Sequence, residues 1–224
     1  MAIERPGVGR APAPPDDDPI PLGDQILDGE AHITAAGSGV VLAMFRETGA
    51  ARFLAGPLHE LSGRTLALDA LVPRGELAAL QERIVDAPDH RRRIACLEQF
   101  LLARLRPEPA DPLAAAAVAA IQRTHGVLRI AALAHELGIS QDPLEKRFRA
   151  AVGTSPKQLA SLIRMSRVVD ARRRARTTGL ADRSSGWSRL AVEAGYFDQS
   201  HFIREFRAIA GAPPGRFFRA IEHC

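Results

Sequence analysis

The chain has 224 residues, 46% of them hydrophobic and 25% charged, enough for one or two domains with their own cores. No apolar run reaches the ~18 residues of a membrane-spanning helix. Pro, Gly and acids open the chain where a secretory signal would be apolar. Cys96 and Cys224 alone cannot frame a disulfide scaffold, so a reduced cytoplasm fits. The net charge of +4 is unevenly placed: residues 1–112 carry 12 basic and 17 acidic side chains (−5), and residues 113–224 carry 18 and 9 (+9). Such a division suggests that the C-terminal half alone meets a polyanion, although a solvated surface of uneven charge gives the same arithmetic.

Met1 to Leu22 holds six prolines and the run Asp16-Asp17-Asp18, and reads as a disordered leader. Residues 23–106 read as a small α+β domain. Its strands are a hairpin around Gly37-Ser38-Gly39 within His32–Phe45, carrying the apolar run Val40–Phe45, and a short strand at Arg64–Leu68. From Glu76 the period becomes helical. Leu77, Leu80, Ile84 and Val85 share one face, as do Ile94, Leu97, Phe100, Leu101 and Leu105, with Pro88 between the two helices. Cys96, on an apolar face, reads as a buried structural thiol. Pro107, Pro109 and Pro112 mark a linker at 107–112. Asp111 then caps an Ala-rich helix with Pro112 at its first position.

The C-terminal half repeats itself. Leu133-Ala134-His135-Glu136-Leu137-Gly138 matches Leu190-Ala191-Val192-Glu193-Ala194-Gly195 at an offset of 57. One inserted residue later the offset is 58, and Phe148-Arg149-Ala150-Ala151-Val152-Gly153 matches Phe206-Arg207-Ala208-Ile209-Ala210-Gly211, with Pro156 against Pro214. Each copy predicts a short helix, a turn at Gly138 or Gly195, and a second helix. Ser140 or Asp142 caps that second helix in the first copy and Asp198 in the second. Leu144, Phe148 and Val152, and in the second copy Phe202, Phe206 and Ile209, face inward. This is the helix-turn-helix pattern, whose second helix enters the DNA major groove. It falls at about 130–152 and 187–210. Between the copies, Ser155-Pro156 opens an uninterrupted helix to about Arg176. A rod of roughly 20 residues spans about 30 Å, close to the ~34 Å between successive major-groove faces.

Residues 113–222 resemble the DNA-binding domain of the AraC/XylS transcriptional regulators. The likeness is carried by Ala194-Gly195-Tyr196-Phe197-Asp198-Gln199-Ser200-His201-Phe202-Ile203-Arg204-Glu205-Phe206-Arg207, then Gly211, Pro214 and Phe217. Residues 40–105 resemble an uncharacterised N-terminal domain of some members through Met44-Phe45-Arg46, Gly49, Phe53, Gly56-Pro57 and Leu61. That domain usually begins with more β-structure, which implies a truncated sensor here. The expected fold is therefore mainly α: an all-α double helix-turn-helix joined by a linker helix, behind a small α+β domain.

The resemblance implies base contacts from Gln199, Ser200, Ile203 and Arg204. The chemistry agrees, since Arg pairs with guanine, Gln with adenine, and Ile meets a thymine methyl. For Arg204 a surface salt bridge or a phosphate contact is the alternative. In the first copy the matching positions are Gln141, Asp142, Glu145 and Lys146, with Pro143 among them. Asp142 could cap a helix that starts late at Pro143, Glu145 completing a capping box; alternatively Glu145 accepts from a cytosine amino group. Lys146 remains a base or phosphate contact, and the second copy is expected to discriminate sequence more than the first. Arg147, Lys157 and Arg207 are phosphate candidates. So is the run Arg172-Arg173-Arg174-Arg176, although a basic helix C-terminus is usually a dipole-matched, solvated end. Arg183 and Arg189 lie near Trp187, which reads as core.

No metal-ligand spacing, phosphate loop or nucleophile elbow is present in the sequence, so no enzyme activity and no cofactor are expected. The leading expectation is a bacterial, cytoplasmic, sequence-specific transcription factor. Its partner is double-stranded DNA, RNA polymerase, a second subunit and a small-molecule effector are further partners that the class admits, and no membrane is involved. The competing expectation is a protein-interaction module or co-regulator with a degenerate first recognition helix.

Overall fold

The computed structural model of the chain describes residues 2–3, 39–107, 111–177 and 186–221. Nearly all of the proline-rich leader, the first arm of the expected hairpin, Arg183 and the terminal His223-Cys224 lie outside them. Nine α-helices occur among the described residues: α1 (Arg74–Asp86), α2 (His90–Ala103), α3 (Pro112–Arg123), α4 (Ile130–Glu136), α5 (Gln141–Val152), α6 (Pro156–Thr177), α7 (Gly186–Glu193), α8 (Gln199–Ala210) and α9 (Pro214–Ile221). None is long and apolar enough to cross a membrane.

The mainly helical class holds, while the N-terminal α+β expectation finds no support among the described residues. Its β-structure among the described residues is one antiparallel pair of two-residue strands, Ala2–Ile3 with Gly39–Val40. The apolar run after Val40 is irregular, with Leu42 and Met44 well exposed. Residues 64–66 form no strand, and Leu68–Ala70 is a 3-10 turn. A period-2 apolar pattern makes a strand only where a second strand accepts its backbone, and an isolated two-stranded ribbon is marginal in water. Here the chain closes 3-10 turns at Ala50–Arg52, Leu58–Glu60 and Leu68–Ala70 instead.

In α1 the expected inner positions Leu77, Leu80 and Ile84 are buried. Asp89 caps α2 by accepting the Arg92 amide at 2.8 Å, but α2 has no fully buried residue. Ile94, expected to face inward, is 50% exposed. Cys96 is only half-buried, its thiol 3.7 Å from the Arg83 carbonyl oxygen. A helix that packs mainly on one neighbour buries a narrow strip, so part of its apolar face stays wet.

Asp111 caps α3 by accepting the Leu113 and Ala114 amides at 2.9 and 3.1 Å, with Pro112 at the first helical position. Ser155 and Gln158 form a reciprocal capping box at the start of α6. The Gln158 amide donates to Ser155 Oγ (3.1 Å), and the Ser155 amide donates to Gln158 Oε1 (3.2 Å). Two aliphatic and aromatic cores then share α6. The first joins Ala117, Val118 and Ile121 of α3, Leu133 and Ala134 of α4, and Leu144 and Phe148 of α5 to Leu159 and Ala160 of α6. The second joins Met165, Val168 and Val169 of α6 to Leu190 and Ala191 of α7, Phe202 and Phe206 of α8, and Phe218 of α9. At about 100° per residue, Leu159, Ala160 and Ile163 lie roughly opposite Met165, Val168 and Val169. The rod is therefore apolar on two faces, one for each core, and charged between them.

Candidate nucleic-acid interface

The two copies of the repeat fold alike. α4 and α7 present Ala134 and Ala191, both buried, and these small side chains let the second helix of each pair cross closely. The turn then passes through Gly138 (φ +66°) and Gly195 (φ +88°). Ile139 and Tyr196 play the same part in it, their amides donating to Ala134 and Ala191 carbonyls at 3.0 Å. The inserted residue that shifts the repeat register is Phe197, 90% exposed. Asp198 caps α8 through the His201 amide at 2.6 Å. α5 begins at Gln141 with Ser140 at the cap position and no side-chain bond. The late start expected at Pro143 is not seen. Pro143 occupies the third helical position, where its missing N–H removes no intrahelical bond. Glu145 is no part of a capping box either: its Oε1 accepts from Arg149 Nε and Nη2 at 3.0 and 2.8 Å. α5 and α8 thus have the same length and the same phase.

That common phase sorts the candidate residues. In α8, Phe202 and Phe206 are fully buried. Ser200, Arg204 and Arg207 are exposed, on the side opposite those rings by helical geometry. Gln199 is exposed at the first turn, its Oε1 accepting a hydrogen bond from Ser188 Oγ of α7. Ile203 sits on the flank, partly buried against the second core. In α5, Leu144 and Phe148 are buried, and Asp142, Lys146 and Arg149 take the outward positions that Ser200, Arg204 and Arg207 take in α8. Lys157, in the first turn of α6, is exposed.

Arg149 was not among the residues singled out from the sequence, although the repeat pairs it with the phosphate candidate Arg207. Arg147, which was, sits elsewhere. Its Nε and Nη2 both donate to the Asp111 carboxylate at 2.9 Å. Its counterpart in α8, Glu205, also turns inward and pairs with Arg164 of α6 at 2.8 Å. This register position ties α5 to the start of α3 and α8 to α6, although Arg147 itself stays 47% exposed. Arg172 lies over the Trp187 ring at 5.3 Å, and Trp187 packs on Phe202 and Phe218 (5.9 and 5.3 Å between ring centres). Arg189 pairs with Glu193 at 3.3 Å. No group of three or more His, Cys, Asp or Glu side chains converges as a metal site among the described residues.

Burial raises the Asp111 pKa, but the Arg147 guanidinium and the Ala114 and Leu113 amides together pull it below the usual carboxylate value. A depressed folded pKa stabilises the fold above the unfolded value near 3.9 and loses that contribution as pH falls through the folded value. Asp111→Ala is therefore expected to cost about 1 kcal/mol at pH 7 through the lost cap. In denaturant titrations the gap to the parent chain should narrow below about pH 4. A gap constant down to pH 2 would mean that the carboxylate charge does not matter there.

The arrangement defines a class. Residues 133–220 match a family described as "Helix-turn-helix domain". Residues 133–220 therefore form a helix-turn-helix domain of the AraC type. The chain is similar to a DNA-binding transcriptional dual regulator from Escherichia coli K-12 of known crystal structure. The two are 26% identical over 48% of this chain and 96% of that one, with a TM-score of 0.37. No curated protein matches the chain.

Proposed function

We propose that this chain is a transcriptional regulator that reads DNA with α5 and α8 together, each lying in one of two neighbouring major-groove segments on one face of a promoter. The observation that carries this reading is the shared phase of the two helices on one rod. α6 has 22 residues, about 33 Å of helix, against a groove repeat of about 34 Å. Residues 113–222 act as the reading unit. Gln199, Ser200, Arg204 and Lys146 supply the base-edge chemistry, with Ile203 at the margin, and Lys157, Arg207 and Arg149 reach phosphates. Arg147 is held by Asp111 and contributes to the orientation of α5. Residues 23–106 regulate the unit. Their described part touches it through Leu58, buried against Gly153 at the end of α5, and through Gln122, which donates to Glu47 at 2.8 Å.

Selection of binding sites from random duplexes tests the reading. A two-part motif is expected, its halves about one helical turn apart, with the stronger information content in the half read by α8. Arg204→Ala is expected to cost about 1–3 kcal/mol and to relax preference at one base pair. A uniform loss over all sequences would reassign Arg204 to a phosphate. Affinity should fall steeply with salt, log K dropping by about 0.9 per phosphate for each tenfold rise in salt.

The co-regulator reading draws support from Asp142 on the outward face of α5 and from Arg149 held by Glu145. A one-part motif read by α8 alone would favour it.

A further inference from the structure

Arg164 makes contacts that a surface arginine does not. Its side chain is 14% exposed. Nη1 donates to the Gly126 carbonyl oxygen at 2.6 Å. Nη2 donates to Glu205 Oε1 and Oε2 at 2.8 and 3.1 Å and to Ser161 Oγ at 3.1 Å. The guanidinium lies 5.2 Å from the centre of the Tyr196 ring. Gly126 belongs to the loop that enters α4 in the first unit. Glu205 is on α8 in the second, and Tyr196 is in its turn. One planar fork therefore joins both units at once, and only a guanidinium offers donors in that geometry.

The Val127 side chain of the first unit meets the Gly195 backbone of the second beside it. A Cβ on Gly195, in the second turn, would stand 2.3 Å from Val127 Cγ2, so the two units touch there with no room between them. The repeat makes the asymmetry plain. The position of Glu205 is filled in the first copy by Arg147, which pairs with Asp111 beside its own unit. The second copy carries an acid there instead and uses it to reach the rod at the point where the first unit also holds on. Apart from these contacts, the two cores share α6.

We propose that Arg164 and Glu205 form a clasp that fixes the angle between the two recognition helices, and so sets the base-pair spacing accepted between the two halves of the DNA site. Arg164 is a positioning residue, and its role rests on the two-helix reading above. Inserting one base pair rotates one half-site against the other by about 35° and moves it about 3.4 Å. Two helices held at a fixed angle cannot follow that change, whereas two helices hinged on one rod can.

The experiment uses the full chain on its selected two-part site and on versions with one or two base pairs inserted between the halves. The parent chain should lose at least about 10-fold in affinity per insertion, each insertion misplacing one half of its contacts. Arg164→Ala should bind the selected spacing more weakly and show an insertion penalty of less than about 3-fold. Arg164→Lys, which can reach Glu205 or Gly126 but not both, should fall between. Arg164→Met combined with Glu205→Leu leaves no buried charge unpaired and keeps the fold if the single variant does not; it should show the same relaxed spacing. A merely stabilising arginine would lower the melting temperature and leave the penalty as it was, and that result in the double variant overturns the clasp while leaving the two-helix reading intact. A parent chain that selects a one-part motif, or pays nothing for insertions, overturns both.

Discussion

Gly126→Ala is expected to be among the most damaging single-methyl substitutions in the chain, costing about 2–5 kcal/mol from two sources. Gly126 lies in the turn after α3 with φ +75°, directly after His125 at φ +53°. An L side chain held in that region costs about 1–2 kcal/mol. The added Cβ would also stand 2.2 Å from the carbonyl oxygen and 3.0 Å from the carbonyl carbon of Ala160. That obstacle is the backbone of α6 and cannot rotate away, so the loop must lift off the rod. Overpacking of this kind costs about 1–3 kcal/mol more. Lifting the loop also separates the Gly126 carbonyl from Arg164, with which it is bonded at 2.6 Å.

The control is built into the fold. Gly138 has a similar φ of +66° but nothing within 4 Å of its would-be Cβ. Gly138→Ala should therefore show the conformational cost alone, about 1–2 kcal/mol. Denaturant titration of the two variants isolates the steric part as their difference. Equal losses would mean that the Ala160 contact is relieved without cost. Because natural domains hold only about 5–15 kcal/mol in all, Gly126→Ala should also bring the melting midpoint down by roughly 10 °C.

The parts of the fold that could be read in the sequence are those where chain punctuation and periodicity agree. Asp111-Pro112 and Ser155-Pro156 each put a capping side chain next to a residue fit for the first helical position, and both helices start there. The repeat fixed the turns at Gly138 and Gly195, because few chance matches place Gly, Phe and Pro in register. α6 was legible by its lack of breakers more than by its pattern. Its apolar residues serve two cores on opposite faces, and an amphipathic period averages away over its length.

Past Val40 the apolar run 41–45 has strand composition but forms no strand among the described residues. Strand formation depends on a non-local acceptor that composition does not report. Pro143 misled in a different way. Proline is tolerated anywhere in the first turn, so it marks the region of a helix start and not its first residue. The ion pairs that matter most were beyond local pattern altogether. Arg147 with Asp111 and Arg164 with Glu205 are 36 and 41 residues apart. An arginine on a helix that meets DNA invites a phosphate assignment until its partner is seen. The equivalence of Arg149 and Arg207 was available from the repeat, and following it through every position would have found the outward residue.

Phe206→Ala should cost about 3–5 kcal/mol as a large cavity in a closed core. Its ring has no solvent exposure and meets Phe202 and Phe217 edge-on at 5.5 and 5.3 Å, with Phe218 tilted at 6.2 Å. Such aromatic pairs add about 0.5–1.5 kcal/mol beyond area burial, and Phe206→Leu, which keeps most of the volume, separates that part. Phe148 occupies the same register position in the first unit and is equally buried, but its core of Ile121, Leu133, Leu144 and Leu159 is aliphatic. Phe148→Leu should therefore be tolerated better than Phe206→Leu. The position of the damage is as informative as its size. With two cores on one rod, unfolding need not be all-or-none. Phe206→Ala is expected to collapse the amide resonances of α7, α8 and α9 first, while α3, α4 and α5 keep theirs. Under the proposed two-helix reading, base discrimination by α8 should vanish at a temperature where binding through α5 persists weakly. If the resonances of both units disappear together instead, the rod and the Arg164 contacts couple the cores into one cooperative body, and the local account of Phe206 fails.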